Sequence, residues 1–330
     1  MSSFDIVIPN YNYGRYLRAC VESVLSQDVS DLRVLIIDNA STDESSQIAK
    51  TLANADSRVE IRLRDRNLGP HASFNEGIDW ARSDYFLILC SDDMLMPGAL
   101  RRAGEVLDSD PAIVFCHGRD LPVTSDDFVL PDGIAAERAE WRRISGRDLI
   151  ASFCRLGVFQ LSGATLIVRT SSQKAAGYYR EELPHSDDYD LWLRLALLGD
   201  VAALENTQAI DRQHPMRRSG PLQQYQLAHI VHTEAAANCF FTHEGAAMQD
   251  SARLHRKAQH AFTSRAYWSA ISTWSRGDQG AADLMRFALG RRPLSGVIPP
   301  FTYLLGRPDR RARIRSGVDA LFRRIARPGN

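Results

Sequence analysis

Short apolar segments alternate with amphipathic segments through the first part of the 330-residue chain. The run Leu32–Ile37 is apolar at every position except Arg33, which is typical of a strand buried on both faces of a parallel sheet. Strand–helix alternation predicts right-handed crossovers and a mostly parallel sheet with helices on both faces. The fold class expected is therefore Rossmann-like α/β. Strands are predicted at 5–9, 32–37, 59–63, 85–89 and 112–116, and helices at 16–25, 71–81 and 98–107.

A further helix is predicted to run from Ser41 toward Leu52, because Ser41-Thr42-Asp43-Glu44 has the pattern of a capping box. Residues 120–145 are expected to form an irregular excursion or lid. Strand character resumes at Leu161–Val168, and a helix is predicted over Asp188–Leu198.

From about Leu222 the pattern is that of helices alone, which places a domain boundary near Gly220-Pro221. Domains are therefore expected at 1–220 and 221–330. The second ends in a predicted basic helix, 307–327, with eight arginines and two aspartates. Its apolar residues repeat at helical spacing, which suits an anionic membrane surface. The alternative is a helix that packs on its own protein and exposes its arginines to solvent.

The composition excludes several classes of function. Lys+Arg and Asp+Glu are balanced at 40 each, so no nucleic-acid partner is expected. The five cysteines form no C-x-x-C pair, which favours reduced thiols in a cytoplasmic protein. No signal-peptide pattern is seen, nor any apolar run near the roughly 18 residues that span a bilayer. The motifs G-x-G-x-x-G, G-x-x-x-x-G-K-[ST] and G-x-S-x-G are absent, which argues against dinucleotide, P-loop and esterase sites.

Polar residues follow three of the predicted strands, at the sheet edge where α/β proteins bind ligands. Asp92 and Asp93 come after a buried strand, and their mutual repulsion is relieved by a hard divalent cation such as magnesium or manganese. Alternatively, one of them caps the next helix. Asp38 follows the second strand, where a carboxylate accepts hydrogen bonds from a ribose or a base. Its alternative is a turn that leads into the Ser41 capping box.

Two further polar segments lie later in the chain. Asp187-Asp188-Tyr189-Asp190 precedes an apolar helix, and carboxylates this close raise one another's pKa, as suits a general base. Helix capping is the alternative. His214 lies in an arginine-rich loop that is able to fold over a diphosphate, or else is a solvated basic loop.

The order of these motifs resembles the inverting family 2 glycosyltransferases of the GT-A fold. The resemblance spans roughly residues 3–220 and suggests a nucleotide-sugar half over about 1–118 and an acceptor half over about 145–220. It is carried by Ile6-Val7-Ile8-Pro9-Asn10-Tyr11-Asn12, Ile37-Asp38-Asn39-Ala40-Ser41-Thr42-Asp43, Arg66-Asn67-Leu68-Gly69, Leu89-Cys90-Ser91-Asp92-Asp93, Asp187-Asp188-Tyr189-Asp190-Leu191-Trp192-Leu193-Arg194 and Arg212-Gln213-His214.

This resemblance implies a nucleoside-diphosphate sugar as donor, UDP-sugar favoured, and a glycan or lipid-linked saccharide as acceptor. It implies Asp188 as the catalytic base and a Mn or Mg ion on Asp92 or Asp93. Further donor contacts are implied for Pro9, Tyr11, Asp38, Asn67, His214 and Arg217.

Three residues depart from the family pattern. Cys90 stands at the first position of the D-x-D segment, Asn39 where an aspartate is common, and Asp187 where a glutamate is usual. The Gln-x-x-Arg-Trp motif of processive synthases is absent, which favours addition of a single sugar, as in decoration of a bacterial surface glycan.

Two other functions compete with glycosyl transfer. A sugar nucleotidyltransferase requires a glycine-rich loop after the first strand, where this chain has Asn10-Tyr11-Asn12-Tyr13-Gly14. A catalytically inactive nucleotide-sugar-binding protein is favoured by Cys90 and disfavoured by the joint presence of Asp38, Asp92, Asp93 and Asp188. The sequence identifies neither the sugar nor the oligomeric state.

Overall fold

The computed structural model of the protein describes residues 2–124, 138–159, 161–214, 217 and 226–307. The chain divides into two compact units that are each assembled from separate stretches of sequence. Unit 1 comprises Met1–Leu149, Gln160–Glu182 and Leu191–Pro215, and unit 2 comprises Ile150–Phe159, Leu183–Asp190 and Met216–Asn330.

Unit 1 is built on a central β-sheet. Its strands are β1 Ser3–Asn10, β2 Asp31–Asp38, β3 Val59–Leu63, β4 Tyr85–Ile88, β5 Met94–Leu95, β6 Ile113–Val123, β7 Trp141–Ile144, β8 Ile167–Arg169 and β9 Asp200–Arg212. The helices of the first half are α1 Gly14–Leu25, α2 Ser45–Ala55, α3 Pro70–Trp80 and α4 Ala99–Ser109. Later come α5 Gly146–Leu156, α6 Thr170–Ala176 and α7 Asp187–Leu198, of which α5 and α7 each contribute residues to both units.

The strand order in the sheet is β3-β2-β1-β4-β8-β6-β9-β5, with β7 paired to β9 as well. Pairing is parallel for β1 with β2 and β4, for β2 with β3, and for β6 with β9. The strand β8 is antiparallel to both β4 and β6, and β5 and β7 are antiparallel to β9. This arrangement confirms the predicted mostly parallel α/β sheet.

Helices cover both faces of this sheet. On one face, Ile6 and Ile8 of β1 share a core cluster with Leu17 and Val21 of α1. On the other face, α3 lies so close to β1 that a Cβ on Gly77 would sit 2.7 Å from Val7 Cγ1. Alternate residues of the same strand therefore pack on different helices, as a strand buried on both faces requires.

The described residues 226–307 of unit 2 are mainly helical. Its helices are α8 Gln226–Thr242, α9 Ser251–Arg276, α10 Ala281–Arg291 and α11 Phe301–Leu305. The expected helical C-terminal part is thus present. Apart from Arg307, the predicted basic helix 307–327 lies outside the described residues. Among the helices of the described ranges, none has the length and apolarity needed to cross a bilayer.

Several predictions of local structure are wrong. No capping box forms at Ser41: α2 begins at Ser45, and the Ser41 hydroxyl donates to Asp38 Oδ1 at 2.6 Å. The strand β6 continues to Val123 and β7 covers 141–144, so part of the predicted excursion 120–145 is sheet, while residues 125–137 lie outside the described ranges. Of the predicted strand at 161–168, only residues 167 and 168 join the sheet, in β8 and after a 3₁₀ turn.

Candidate functional site

The loops that follow β1 and β2 are tied together by side-chain hydrogen bonds. Asn10 Nδ2 donates to Asp38 Oδ1 at 2.8 Å, and the backbone N–H of Ser41 donates to Asp38 Oδ2 at 3.1 Å. Asp38 is 2% exposed. The contact with Ser41 is the turn that was considered as the alternative for this residue. Asp38 therefore fixes the shape of the strand end, and its predicted contact with a nucleoside stays a prediction.

Two left-handed residues complete this pair of loops. Asn12 and Ala40 have φ of 57° and 63°, a conformation that is unusual for residues other than glycine. Two hydrogen bonds to the loop after β2 hold Asn12 in this conformation: its side-chain Oδ1 accepts the Thr42 N–H at 2.7 Å, and its backbone N–H donates to Ser41 Oγ at 2.9 Å. Strained residues held by such contacts are frequent at ligand sites.

Asp43 links the first residue of α1 to the first residue of α2. Its Oδ2 accepts the N–H of Gly14 at 2.9 Å, and its Oδ1 accepts that of Ser45 at 3.0 Å. Burial raises the pKa of Asp43, but these hydrogen bonds outweigh burial and lower it below its ordinary value. A Cβ on Gly14 would lie 2.9 Å from the Ser45 nitrogen, so glycine permits this close approach of α1 and α2.

Tyr11 and Pro9 lie at the end of β1. Pro9 is half-buried and pairs in register with Ile37, whereas Tyr11 is 45% exposed directly after a buried strand. An exposed aromatic ring at this edge is suited to stack on a base. Both residues lie where a nucleoside contact is predicted for them.

Asn39 connects β2 to the loop that carries Asn67. Its Nδ2 donates to Asn67 Oδ1 at 2.7 Å and to the Gly69 carbonyl at 3.2 Å. Its Oδ1 accepts from Arg64 at 3.1 Å and from the Leu68 N–H at 2.9 Å. The Asn39 amide therefore serves both as donor and as acceptor in holding this loop. Asn67 itself is exposed.

The acidic cluster lies in a tight turn after β4. The Asp93 N–H donates to the Cys90 carbonyl at 2.9 Å, and one ligand atom from each of Cys90, Asp92 and Asp93 lies within 4.8 Å of the others. Asp92 is 8% exposed, and Cys90 is exposed. Carboxylate oxygens at this spacing fit a hard divalent cation, and the thiol adds a softer donor at the rim. Asp92 and Asp93 are therefore the residues suited to hold Mn²⁺ or Mg²⁺.

The end of β9 reaches this cluster. Because β9 pairs with β5, Arg212 lies beside the aspartates: its N–H donates to Asp93 Oδ1 at 3.2 Å and its Nε to the Asp92 carbonyl at 3.2 Å. His214 Nε2 lies 3.1 Å from Asp92 Oδ2, and the His214 side chain is 5% exposed. His214 and Asp92 are thus brought together as neighbours in one site.

Aromatic rings surround the same basic side chains. The His214 ring lies 4.9 Å from the ring of Tyr16 and 5.2 Å from that of Tyr13. The Arg212 guanidinium lies 4.8 Å and that of Arg15 4.3 Å from the Tyr16 ring centre. Such contacts hold the arginine side chains in place. The acidic cluster of Asp92 and Asp93 therefore lies next to positive charge whose position is fixed.

The charges of the acidic cluster act on the pKa of the nearby Cys20 thiol in α1. Burial raises the pKa of this thiol well above its ordinary value, and the charges of Asp93 and Asp92 raise it further, while Arg212 lowers it. The Cys20 thiol donates to the Cys90 carbonyl at 3.6 Å. Cys20 therefore stays protonated behind the acidic cluster.

Asp188 and Arg217 belong to unit 2, whereas Asp92 and Asp93 belong to unit 1. Asp188 lies half-buried in the first turn of α7, and Asp187 is 2% exposed. Burial raises the pKa of the neighbouring Tyr189 to about 12, and the Asp188 carboxylate adds to this shift against the opposing charge of Arg265. Arg217 is half-buried. Their roles as base and diphosphate ligand stay predictions.

A sheet of this order, with a carboxylate cluster and an exposed aromatic residue at its strand ends, defines the GT-A class of α/β protein. Residues 5–172 match the profile of glycosyl transferase family 2. The chain belongs to that family.

Two relatives illustrate the extent of the similarity. An uncharacterized glycosyltransferase of Rickettsia typhi is 26% identical over 202 residues, which are 60% of this chain and 59% of that protein. Glycosyltransferase GlyG of Streptococcus pneumoniae is 34% identical over 164 residues, 45% of this chain and 54% of that protein. The matched stretches thus span less than two thirds of either relative.

Solved structures share the fold. TarS 1-349 of S. aureus has a TM-score of 0.61 at 18% identity, covering 97% of this chain and 89% of TarS, and its complex with UDP has a TM-score of 0.60 at the same identity and coverage. The mannosyltransferase PcManGT from Pyrobaculum calidifontis, in complex with GDP-Man and Mn²⁺, has a TM-score of 0.51 at 15% identity, covering 97% of this chain and 87% of that chain.

Sequence reasoning did not assign a role to Arg212, Tyr13 or Tyr16. Arg212 and Tyr13 each lie two positions from a candidate residue, His214 and Tyr11, whereas Tyr16 lies five positions beyond Tyr11 in the predicted helix 16–25. What brings them together is the pairing of β9 with β5, and β9 itself was not predicted.

Proposed function

We propose that this family 2 member is an inverting glycosyltransferase that moves a sugar from a nucleoside-diphosphate sugar to an acceptor hydroxyl. The observation that carries the proposal is the cluster of Cys90, Asp92 and Asp93, with His214 against Asp92, at the strand ends of a GT-A sheet. The acceptor is a glycan or lipid-linked saccharide, and a UDP-sugar is the favoured donor. TarS, which shares the fold, is known in complex with UDP.

In this proposal the donor lies along the carboxyl ends of β1, β2 and β4. The nucleoside contacts Pro9, Tyr11, Asp38 and Asn67, and the diphosphate contacts His214 and Arg217. Asp92 and Asp93 hold the divalent cation, which neutralises charge on the diphosphate when bound. The similar mannosyltransferase fold, whose complex contains GDP-Man and Mn²⁺, supports a cation in this general role.

Transfer is a single in-line displacement. The acceptor oxygen bonds to the anomeric carbon as the bond from that carbon to the diphosphate oxygen breaks, and the electron pair leaves with the nucleoside diphosphate. Asp188 takes the proton of the acceptor hydroxyl. The sugar is attacked from the face opposite the leaving group, so its anomeric configuration inverts.

The finer assignments rest on the sequence pattern. We propose a non-processive enzyme, located in the cytoplasm, that decorates a bacterial surface glycan. Its nucleotide-sugar half is about 1–118 and its acceptor half about 145–220, followed by the helical region 221–330.

A thermal-shift screen of UDP, GDP, dTDP and CMP, each with and without Mn²⁺, tests the donor site. A ligand present at about 100 times its Kd adds roughly 2.7 kcal/mol of stability, enough for a clear rise in Tm. One nucleoside diphosphate is expected to raise Tm only when Mn²⁺ is present.

The aspartate variants make the screen specific. Asp92→Asn and Asp93→Asn keep the side-chain shape and remove the charge, so each is expected to abolish the Mn²⁺-dependent rise. Asp278→Asn, on the surface of unit 2, is the matched control and should behave as wild type. No rise with any nucleotide would contradict the proposal. A rise without sugar transfer would favour an inactive nucleotide-sugar-binding protein.

A further inference from the structure

Unit 2 exposes a concentrated group of large apolar side chains, here named the 294–305 patch. Their exposed fractions are larger than those of every other large hydrophobic residue in the described part of the chain. The patch consists of Leu294 at 76%, Val297 at 82%, Ile298 at 72%, Phe301 at 53% and Leu305 at 56%. Clustered exposure of this kind marks an interaction surface.

The backbone beneath the patch is anchored to the rest of unit 2. Trp268 Nε1 donates to the Pro300 carbonyl at 3.1 Å, and an Arg155 N–H donates to the Gly306 carbonyl at 2.7 Å. Tyr303, which is 9% exposed, donates its hydroxyl to the Leu156 carbonyl at 2.8 Å. The segment is therefore docked through its polar and aromatic groups while its aliphatic side chains point outward.

The segment that carries the patch contains charged residues of one sign only. Residues 284–307 contain Arg286, Arg291, Arg292 and Arg307 and no aspartate, glutamate or lysine. Arg286 is 78% exposed, and its ion pair with the exposed Asp283 is of the surface kind that contributes little. Arg291 pairs with Glu234, whose side chain is only 9% exposed, so this arginine stays with its partner. Arg292 is exposed. Arg286 and Arg292 are therefore the arginines able to contact phosphate groups.

An anionic lipid surface is complementary to exposed apolar side chains that are flanked by arginines. Apolar side chains enter the boundary between headgroups and acyl chains, while arginines at the rim meet the headgroup phosphates. A second copy of the chain would instead bring like charges together around the patch. We propose that the 294–305 patch is a membrane-contact surface that inserts into the interface of an anionic bilayer, with Arg286 and Arg292 on the headgroups.

Vesicle co-sedimentation of the full chain tests this proposal without donor or acceptor, so its outcome is separate from that of the proposed transferase activity. Wild type is expected to pellet with vesicles of phosphatidylcholine and phosphatidylglycerol, and much less with phosphatidylcholine alone. Val297→Ser/Ile298→Ser is expected to lower the partition coefficient about tenfold, because two exposed apolar side chains no longer leave water.

The matched control is Val231→Ser/Ile271→Ser, which changes the same residue types at exposed positions of α8 and α9, 43% and 38% exposed. It should pellet as wild type does. Residues 308–330 are present in every variant, so binding through the basic C-terminal segment leaves the comparison unchanged.

Three outcomes would overturn the proposal: wild type stays in the supernatant, the Val297/Ile298 variant pellets as well as wild type, or the control variant loses as much binding. If the Val297/Ile298 variant pellets as wild type does, but is a monomer in sedimentation velocity where wild type is a dimer, the patch is assigned to a second copy of the chain instead.

Discussion

Asp38 and Asn39 are neighbours at the end of β2, and each uses its side chain to hold a different loop. Asp38 accepts hydrogen bonds from Asn10 and Ser41, and Asn39 bonds to Arg64 and to the loop 67–69. A carboxylate suits the first position because every partner there is a donor. An amide suits the second because its partners include both carbonyl oxygens and N–H groups.

This difference predicts the effect of Asn39→Asp, which restores the residue common in the family. The new carboxylate would face Asn67 Oδ1 and the Gly69 carbonyl, two acceptors that lose their donor. We expect the free energy of unfolding to fall by about 1–3 kcal/mol, measured by urea denaturation. The control is Asn54→Asp, the same change at an exposed position of α2. Equal stability of wild type and Asn39→Asp would show that the amide is not required.

Asp188→Asn tests the proposed base. The amide keeps the size of the side chain but does not accept a proton, so turnover is expected to fall about 10²–10⁴-fold. Donor binding, measured as the Mn²⁺-dependent thermal shift, should survive. Full turnover in Asp188→Asn would remove this residue from the reaction.

At the scale of elements, strands with a continuous apolar run or a regular alternation were predicted from sequence, and the irregular strand β9 was not. The runs that became β1, β2 and β4 are buried on both faces. The strand β9, in contrast, contains Glu205, Asn206 and Thr207 in its middle, and its pairing with β6 shifts register there. The regular alternation of apolar and polar residues is interrupted in this strand, so the sequence does not predict it. Its irregular pairing is set by tertiary contacts.

The start of α5 depends on close contact with the end of α7. A Cβ on Gly146 would lie 1.9 Å from the Ala196 carbonyl oxygen and 2.3 Å from that of Gly199. Since these are backbone atoms, relief requires movement of a helix, and Gly146→Ala is expected to reduce the free energy of unfolding by about 3 kcal/mol or more.

Gly290→Ala is the control, for which the expected change in the free energy of unfolding has the opposite sign. Nothing lies within 4 Å of a Cβ at Gly290, which is in α10. Alanine there should raise the free energy of unfolding by about 0.5–1 kcal/mol through helix propensity. Denaturant midpoints of both variants measure the effect, and a Gly146→Ala protein as stable as wild type would contradict the packing described.

For the molecule as a whole, the sequence predicted which strand ends carry the candidate site but not how they are joined. Asp38 and Asp92 were identified because they follow buried strands directly. Arg212 and its contacts with Asp92 and Asp93 depend on β9, whose neighbours are distant in sequence. The contact of His214 with Asp92 likewise joins residues that no local pattern connects.

The stability of the whole molecule is expected to fall in mild acid, because burial lowers the pKa values of several histidines, most strongly those of His117 and His229. Burial, with the charge of Arg142, lowers the pKa of His117 to about 4, and burial with Arg265 does the same for His229. Both ring nitrogens of His117 are buried without a hydrogen-bond partner among the described residues. The folded protein therefore keeps this ring neutral where the unfolded chain, with a pKa near about 6.5, takes up a proton.

The unfolded state thus binds more protons between pH 6.5 and 4, so stability is complete above this window and is lost as pH falls through it. For His117 alone, a change from pH 7 to pH 5 should lower the free energy of unfolding by about 2 kcal/mol. Urea denaturation at the two pH values, on wild type and His117→Gln, measures it. The variant should lose about that much of the pH dependence and keep the share of His229. Identical pH dependence in both proteins would mean that His117 is protonated in the folded state, with its ring hydrated rather than buried.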